Sequence, residues 1–240
     1  MSTLNMRKAE NTKEVRKFFQ NWKLYRKLVE NNCLAHRQAY GTLREFLKKR
    51  FRKKSFSLID LGCGDAQFMA AVLRGFSVKR YTGVDITGAA LLLAKRNTAG
   101  LVCEKKFVLG DFCDEIKRER GADVIWLSLA LHHLSFSQKA DFFKRCEKAC
   151  APGGVLLVFD LTLREAKDRD DFISSWACRH FKALTQKEFL LHKKHVSEND
   201  FPEKFSTYAA LAAKSGFSRA RLLYSGRAGL LKFMVFERKS

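Results

Sequence analysis

Leu58-Ile59-Asp60-Leu61-Gly62-Cys63-Gly64-Asp65-Ala66-Gln67-Phe68 is a short apolar run that enters a glycine-broken turn carrying two carboxylates, after which a second apolar-periodic segment begins. The pattern predicts a strand, a ligand-cradling loop and a helix. Gly62 and Gly64 can take backbone angles closed to other residues and let a ligand approach the main chain. The unpaired N–H groups at the start of the following helix favour an anion. A dinucleotide site of the G-x-G-x-x-G type would want a third glycine where Gln67 stands. A tight turn with no ligand is the plainer reading of these residues taken alone.

Further signals follow in a fixed order. Tyr81 to Thr87 reads as a second strand ending in Asp85, about twenty residues after the glycines, where a parallel neighbour would bring an acid to a ribose. Val108-Leu109-Gly110-Asp111-Phe112 is a third strand end, again acidic and followed by an aromatic. Ala122 to Leu134 is nearly continuous in apolar residues, as a strand covered on both faces should be. Ala151-Pro152-Gly153-Gly154 then reads as a turn, with a fifth strand from Val155 to Asp160.

With D-L-G-C-G, the acid after the second strand, G-D-F and A-P-G-G in this order, residues 55–163 resemble the class I S-adenosylmethionine-dependent methyltransferases, and the likeness extends more loosely to 240. The resemblance implies an α/β, Rossmann-like, seven-stranded and mostly parallel sheet with helices on both faces. It also implies S-adenosyl-L-methionine as cofactor. Asp60, Gly62 and Gly64 would line its methionine end, Asp85 would hold the ribose hydroxyls, and Ile86, Asp111 and Phe112 would meet the adenine. Ser128, at the end of the fourth strand, completes the implied cofactor set. Each assignment has a plainer alternative: Asp85 as a cap for a helix beginning near Thr87, Asp111 as a turn residue, and Phe112 as core in a chain with 21 phenylalanines.

Composition bounds the rest. The 240 residues suffice for one α/β domain with additions, and two prolines with 46% hydrophobic residues argue against disorder. Seven cysteines without a C-x-x-C pair suggest neither a zinc ribbon nor a disulfide framework, and no metal is expected. Residues 1–10 lack the apolar centre of a signal peptide, and no apolar stretch reaches membrane-spanning length. A cytoplasmic protein with no membrane span is the expectation.

The net charge of +21 is unevenly placed: 16 basic residues face 4 acidic ones through residue 54, 14 face 12 over 55–160, and 16 face 9 thereafter. Residues 1–54 read as a basic N-terminal helical extension packed on the core, and 55–240 as the cofactor-binding domain. Helices are expected at 13–30, with Val15, Phe18, Phe19, Trp22 and Tyr25 on its stripe, and at 33–50, with Leu34, Leu43, Phe46 and Leu47. These basic helices can hold nucleic-acid phosphates, present a solvated face, or close over the pocket with Tyr25, His36, Arg37 or Tyr40 at its wall. A substrate-lid insertion is expected near 164–199, as helices at 170–181 and 185–194. Phe172, Trp176 and Phe181 would form either an apolar ceiling or a packing face. A small-residue helix stopped by Gly216 and a strand pair, 217–224 with 230–236, close the domain.

Ser128-Leu129-Ala130-Leu131-His132-His133-Leu134 lacks the acid-or-Asn, Pro-Pro, aromatic pattern of base-amine methylation and the Pro-Cys of pyrimidine-carbon methylation. It looks like the small-molecule branch of the family, so methyl transfer to O or N of a small acceptor by in-line displacement is expected. An RNA methyltransferase and a catalytically silent partner subunit are the alternatives. If the nucleophile must lose a proton, His133, then His132 and His195, are the candidate bases, with His192 and Asp160 also in view. Oligomeric state is not legible from these residues.

Overall fold

The apolar runs become strands where β-branched and aromatic residues dominate and both faces are covered. The computed structural model describes residues 22–164, 169–180, 184–226 and 229–240, with the side chains of 22–25 and 175–180 outside that description. Its strands are β1 (Phe56–Leu61), β2 (Val78–Asp85), β3 (Glu104–Leu109), β4 (Ala122–Ser128), β5 (Cys150–Leu161), β6 (Phe217–Ser225) and β7 (Leu231–Arg238). They form one seven-stranded sheet in the order β3-β2-β1-β4-β5-β7-β6. β1 to β5 pair in parallel, and β7 lies between β5 and β6, antiparallel to both. The α/β, mostly parallel seven-stranded architecture is the one the sequence implied.

Val124 to Leu127 and Val155 to Phe159 are fully buried. Burial of each such side chain contributes roughly 1.5–3 kcal/mol before entropy is counted. Two hydrophobic clusters sit on opposite faces of the sheet. One gathers α1 (Trp22–Glu30), α2 (His36–Phe51), α3 (Gln67–Leu73) and α4 (Gly88–Asn97) through Leu28, Leu43, Met69 and Leu91. The other holds the short α5 (Phe112–Glu115), α6 (Phe136–Ala149) and α9 (Phe205–Ser215) through Cys113, Phe142, Phe143 and Tyr208. Between β5 and α9 lie α7 (Arg169–His180) and α8 (Gln186–Asn199).

Several expected boundaries move. The apolar run of β4 stops as a strand at Ser128: Leu129 has φ 52°, and Leu131–His133 is a single 3-10 turn, so the histidine pair lies beyond the sheet. Ala151 to Gly154 is no turn; β5 begins at Cys150, with an irregular register opposite β4. A side chain at Gly154 would meet the Ala122 carbonyl oxygen at 2.7 Å, which is why glycine stands there. α2 begins at His36 rather than 33, because Asn31 to Leu34 turn and Ala35 takes φ 52°. α8 runs to Asn199, beyond the expected 194, and buries Val196. Phe172 is in the sheet-packed cluster, the packing-face alternative. The helical residues expected at 13–21, and Phe181, lie outside the described residues.

Candidate active site

The loop after β1 is shaped by left-handed backbone: Gly62, Gly64 and Ala66 have φ 66°, 54° and 52°. A Cβ on Gly64 would meet nothing within 4 Å, so the loop presents bare main chain to open space. That space is a cavity of about 430 Å³ between the loop, the N-terminal helices and the α4 face; Gly62, Gly64, Phe68, Ser128, His36 and Tyr40 are among its lining residues. Arg26, Val29 and Glu30 of α1 border it as well.

The strand ends bring the expected acids together. Parallel pairing sets Asp85 beside Leu109, one strand from the Asp111 turn. Asp85 Oδ2 accepts from Gly64 N at 3.0 Å, and Oδ1 accepts from Thr87 N and Oγ1, each at 2.8 Å. Its carboxylate therefore braces the glycine loop and the turn into α4 at once. Asp111 is the N-cap of α5, accepting from Cys113 N at 2.7 Å. Phe112 packs edge-on against Phe142, with ring centres 5.6 Å apart, so its ring joins the core. Ile86 is half-buried directly after Asp85.

Asp60 backs the loop from the buried side, accepting from Tyr81 Oη at 2.8 Å and only 2% exposed. Burial, partly opposed by that hydrogen bond, pushes its carboxyl up to about 7. Ser128 Oγ and Trp126 Nε1 are buried and accept or donate no hydrogen bond among the described residues. Opposite the loop, the rings of His36, Tyr40 and Phe68 stack: Tyr40 and Phe68 centres are 5.1 Å apart at 16°, His36 and Phe68 5.5 Å apart at 20°. Burial lowers His36 to about 4, so this wall is uncharged at neutral pH.

The three histidines expected as bases are gathered elsewhere. None of His132, His133 and His195 is among the residues lining the cavity. They surround Asp200, an acid that the sequence reading missed. From Asp200 Oδ1, His133 Nδ1 is 3.2 Å away, His132 Nε2 3.7 Å and His195 Nε2 3.9 Å. His132 Nδ1 meets Asp160 Oδ1, and Asp160 also accepts from the backbone N–H of Ala130 at 3.1 Å and Leu131 at 2.7 Å. Burial alone would raise Asp200, but the imidazoles outweigh it and hold the carboxyl at about 2. Burial opposes a charge on His132, yet Asp160 and Asp200 raise it. His195 is lowered to about 3 by burial and by the neighbouring His133. Buried Lys139, brought down to about 8 by burial, donates to Leu134 O at 2.6 Å and to Phe201 O, fixing the segment after Asp200. Asp200 follows a helix and reads in sequence as an ordinary acid after a C-terminus; only the fold brings it to His132.

Residues 59–156, which run from β1 into β5, match a family described as a methyltransferase domain. A phenazine O-methyltransferase from Lysobacter antibioticus is 28% identical over 70% of this chain and 44% of its own length. N-terminal Xaa-Pro-Lys N-methyltransferase 1 from Mus musculus is 26% identical over 73% of this chain and 84% of its own. The structure of human N-acetylserotonin methyltransferase with its S-adenosylmethionine superposes with a TM-score of 0.55 at 19% identity, covering 77% of this chain and 48% of that one. By these matches residues 59–156 are a methyltransferase domain of the S-adenosylmethionine-dependent kind, with S-adenosylmethionine as its cofactor. Its relatives act on small molecules and on protein termini by name, and the chain spans less than half of the phenazine enzyme.

Proposed function

We propose that the chain transfers the methyl group to an oxygen or nitrogen of a compact small-molecule acceptor in the cavity between the glycine loop and the His36–Tyr40–Phe68 wall. The observation that carries this reading is that Arg26 and Val29 of α1 and His36 and Tyr40 of α2 border that cavity opposite the glycine loop, at a volume of about 430 Å³, which is small-ligand size. The residues fit the cofactor: an open cradle over Gly64, a buried Ser128 hydroxyl with no partner in the protein among the described residues, and two acids at adjacent strand ends. Gly62, Gly64 and Ser128 would meet its methionine end with Asp60 behind them, Asp85 its ribose, and Ile86, Asp111 and Phe112 its adenine. When bound, S-adenosylmethionine supplies an activated methyl on a sulfonium.

The chain's own part is placement. Stacked neutral rings attract a cation through their faces, by about 0.5–2 kcal/mol depending on desolvation. Because burial keeps His36 uncharged, the wall does not repel that cation. Alignment of nucleophile and methyl, with water excluded, supplies most of the remaining acceleration. Four cations of α1 and α2 are engaged within the molecule, which supports a roofing role for these helices over an RNA-binding one. Arg44 donates to the Val72 carbonyl at 2.5 Å, Arg50 to the Gly153 carbonyl at 2.5 Å, Lys27 to Glu188 at 2.6 Å and Arg26 to Glu30 at 2.7 Å.

The test is transfer of labelled methyl from S-adenosylmethionine to three panels: phenolic and amine metabolites, peptides beginning Xaa-Pro-Lys, and total RNA. Labelling confined to small molecules, and lost in Tyr40→Ala, is the expected result. Labelling of peptides or RNA alone would overturn the acceptor assignment while leaving the cofactor site intact.

A further inference from the structure

The buried histidine cluster is built like a metal site. Among the described residues, His132, His133 and Asp200 form a group whose ligand atoms all lie within 4.8 Å of one another. His195 Nε2, 3.9 Å from Asp200 Oδ1, stands just outside that group and would move in as the fourth donor. Tetrahedral zinc with bonds of about 2.0–2.1 Å separates its ligand atoms by about 3.4 Å. The nitrogens of His133 and His132 lie 3.2 and 3.7 Å from that oxygen, close to this spacing, and no two ligand atoms of the group are more than 4.8 Å apart.

Asp200 Oδ1 is fully buried and accepts no aligned hydrogen bond among the described residues. The imidazoles face it as ligands face a cation, and His133 Nδ1 also stands 3.2 Å from the Asn199 carbonyl oxygen, a contact it would give up to bind an ion. The surroundings supply what such a site needs behind its ligands. Asp160 takes His132 Nδ1, which fixes that ring and turns Nε2 toward Asp200, the carboxylate–histidine–metal arrangement. Asp160 is itself held by three backbone N–H groups, of Ala130, Leu131 and Leu161. Charge agrees as well. Two buried carboxylates, Asp160 and Asp200, balance one divalent ion when the imidazoles are neutral, and Lys139 has Glu203 at 3.8 Å as its own counter-charge.

We propose that His132, His133, His195 and Asp200 bind a zinc-class divalent ion that pins α8 and the 199–201 segment to the ends of β4 and β5. One carboxylate among three imidazoles is a poor set for Mg²⁺ or Ca²⁺, which take mainly oxygen ligands, and a good one for Zn²⁺ or Co²⁺. Three of the donors are buried and His195 is half-buried; they converge from three segments and leave no open position once His195 joins, so the ion is structural and does not meet the acceptor. His132 sits after β4, His195 on α8 and Asp200 behind it. The ion therefore ties the insertion to the sheet where residues far apart in sequence meet.

The test uses the full chain, stripped with a chelator and titrated with Zn²⁺ and Co²⁺ by competition against a chromophoric chelator, with cofactor binding measured in the same preparations. One equivalent of tight Zn²⁺, a tetrahedral Co²⁺ absorption spectrum and a higher Tm with metal are expected. His133→Ala and Asp200→Ala should weaken binding by 100-fold or more, and Asp160→Asn by about 10–100-fold. Circular dichroism of each variant checks that it is folded. Because Asp160→Asn keeps all four ligands, it preserves the test if a ligand variant fails to fold. A folded wild-type chain that binds neither ion, or binds equally well in Asp160→Asn and the folded ligand variants, overturns the proposal. Cofactor binding without metal binding would refute this site and leave the acceptor reading untouched.

Discussion

Asp60 shows how one buried group makes stability depend on pH. Its folded-state carboxyl sits at about 7, above its ordinary 3.8, because burial disfavours the charge. A raised acid contributes stability that is fully present below pH 3.8 and is lost as pH rises through about 7. Asp60→Asn keeps the oxygen that accepts from Tyr81 but cannot ionise. Denaturant unfolding at pH 5 and pH 8 should show wild type losing more stability than the variant, by a few kcal/mol at most. Equal losses in both proteins would contradict the burial account. A cationic cofactor favours the ionised carboxylate, so S-adenosylmethionine affinity should rise between pH 6 and 8 in wild type and stay flat in Asp60→Asn. At Gly64, φ is 54° and a side chain would enter the cradle. Gly64→Arg should cost about 1–2 kcal/mol in backbone strain and at least tenfold in cofactor affinity, read by thermal unfolding and calorimetry together.

Elements were legible where period and punctuation agree, and illegible where the backbone breaks inside an apolar run. The acids Asp85 and Asp111 were found because each ends a strand beside glycine or a polar turn. β4 was overrun because Leu129 to Leu131 remain apolar after the strand has ended at Ser128. His132 was thus placed on a strand, and its neighbours on α8 and behind it could not be inferred, since Asp200 is 68 residues away and meets it only through tertiary packing. His36 and Tyr40 were named only as two of four wall candidates; one helix carries both rings, and the third, Phe68, comes from α3. α8 has its own start signal, a capping box in which Thr185 and Glu188 exchange hydrogen bonds. Thr185→Ala should cost about 1 kcal/mol and speed amide exchange in α8 while leaving that of β4 unchanged. Equal acceleration in both elements would show that α8 does not open on its own.

At the scale of the whole molecule, the sheet places the glycine loop, Asp85 and the Asp111 turn at the carboxyl ends of β1, β2 and β3, where open α/β sheets bind ligands. The N-terminal helices close over that edge on one side, and the insertion with its histidine cluster packs beyond β4 and β5. The most direct measurement is calorimetric titration of the intact chain with S-adenosylmethionine, alongside Asp85→Ala and Gly64→Arg. Saturable one-to-one binding by wild type, weakened at least tenfold in both variants without loss of the folded state, is the expected result. Wild-type affinity in either folded variant would contradict the placement of the cofactor in this cavity.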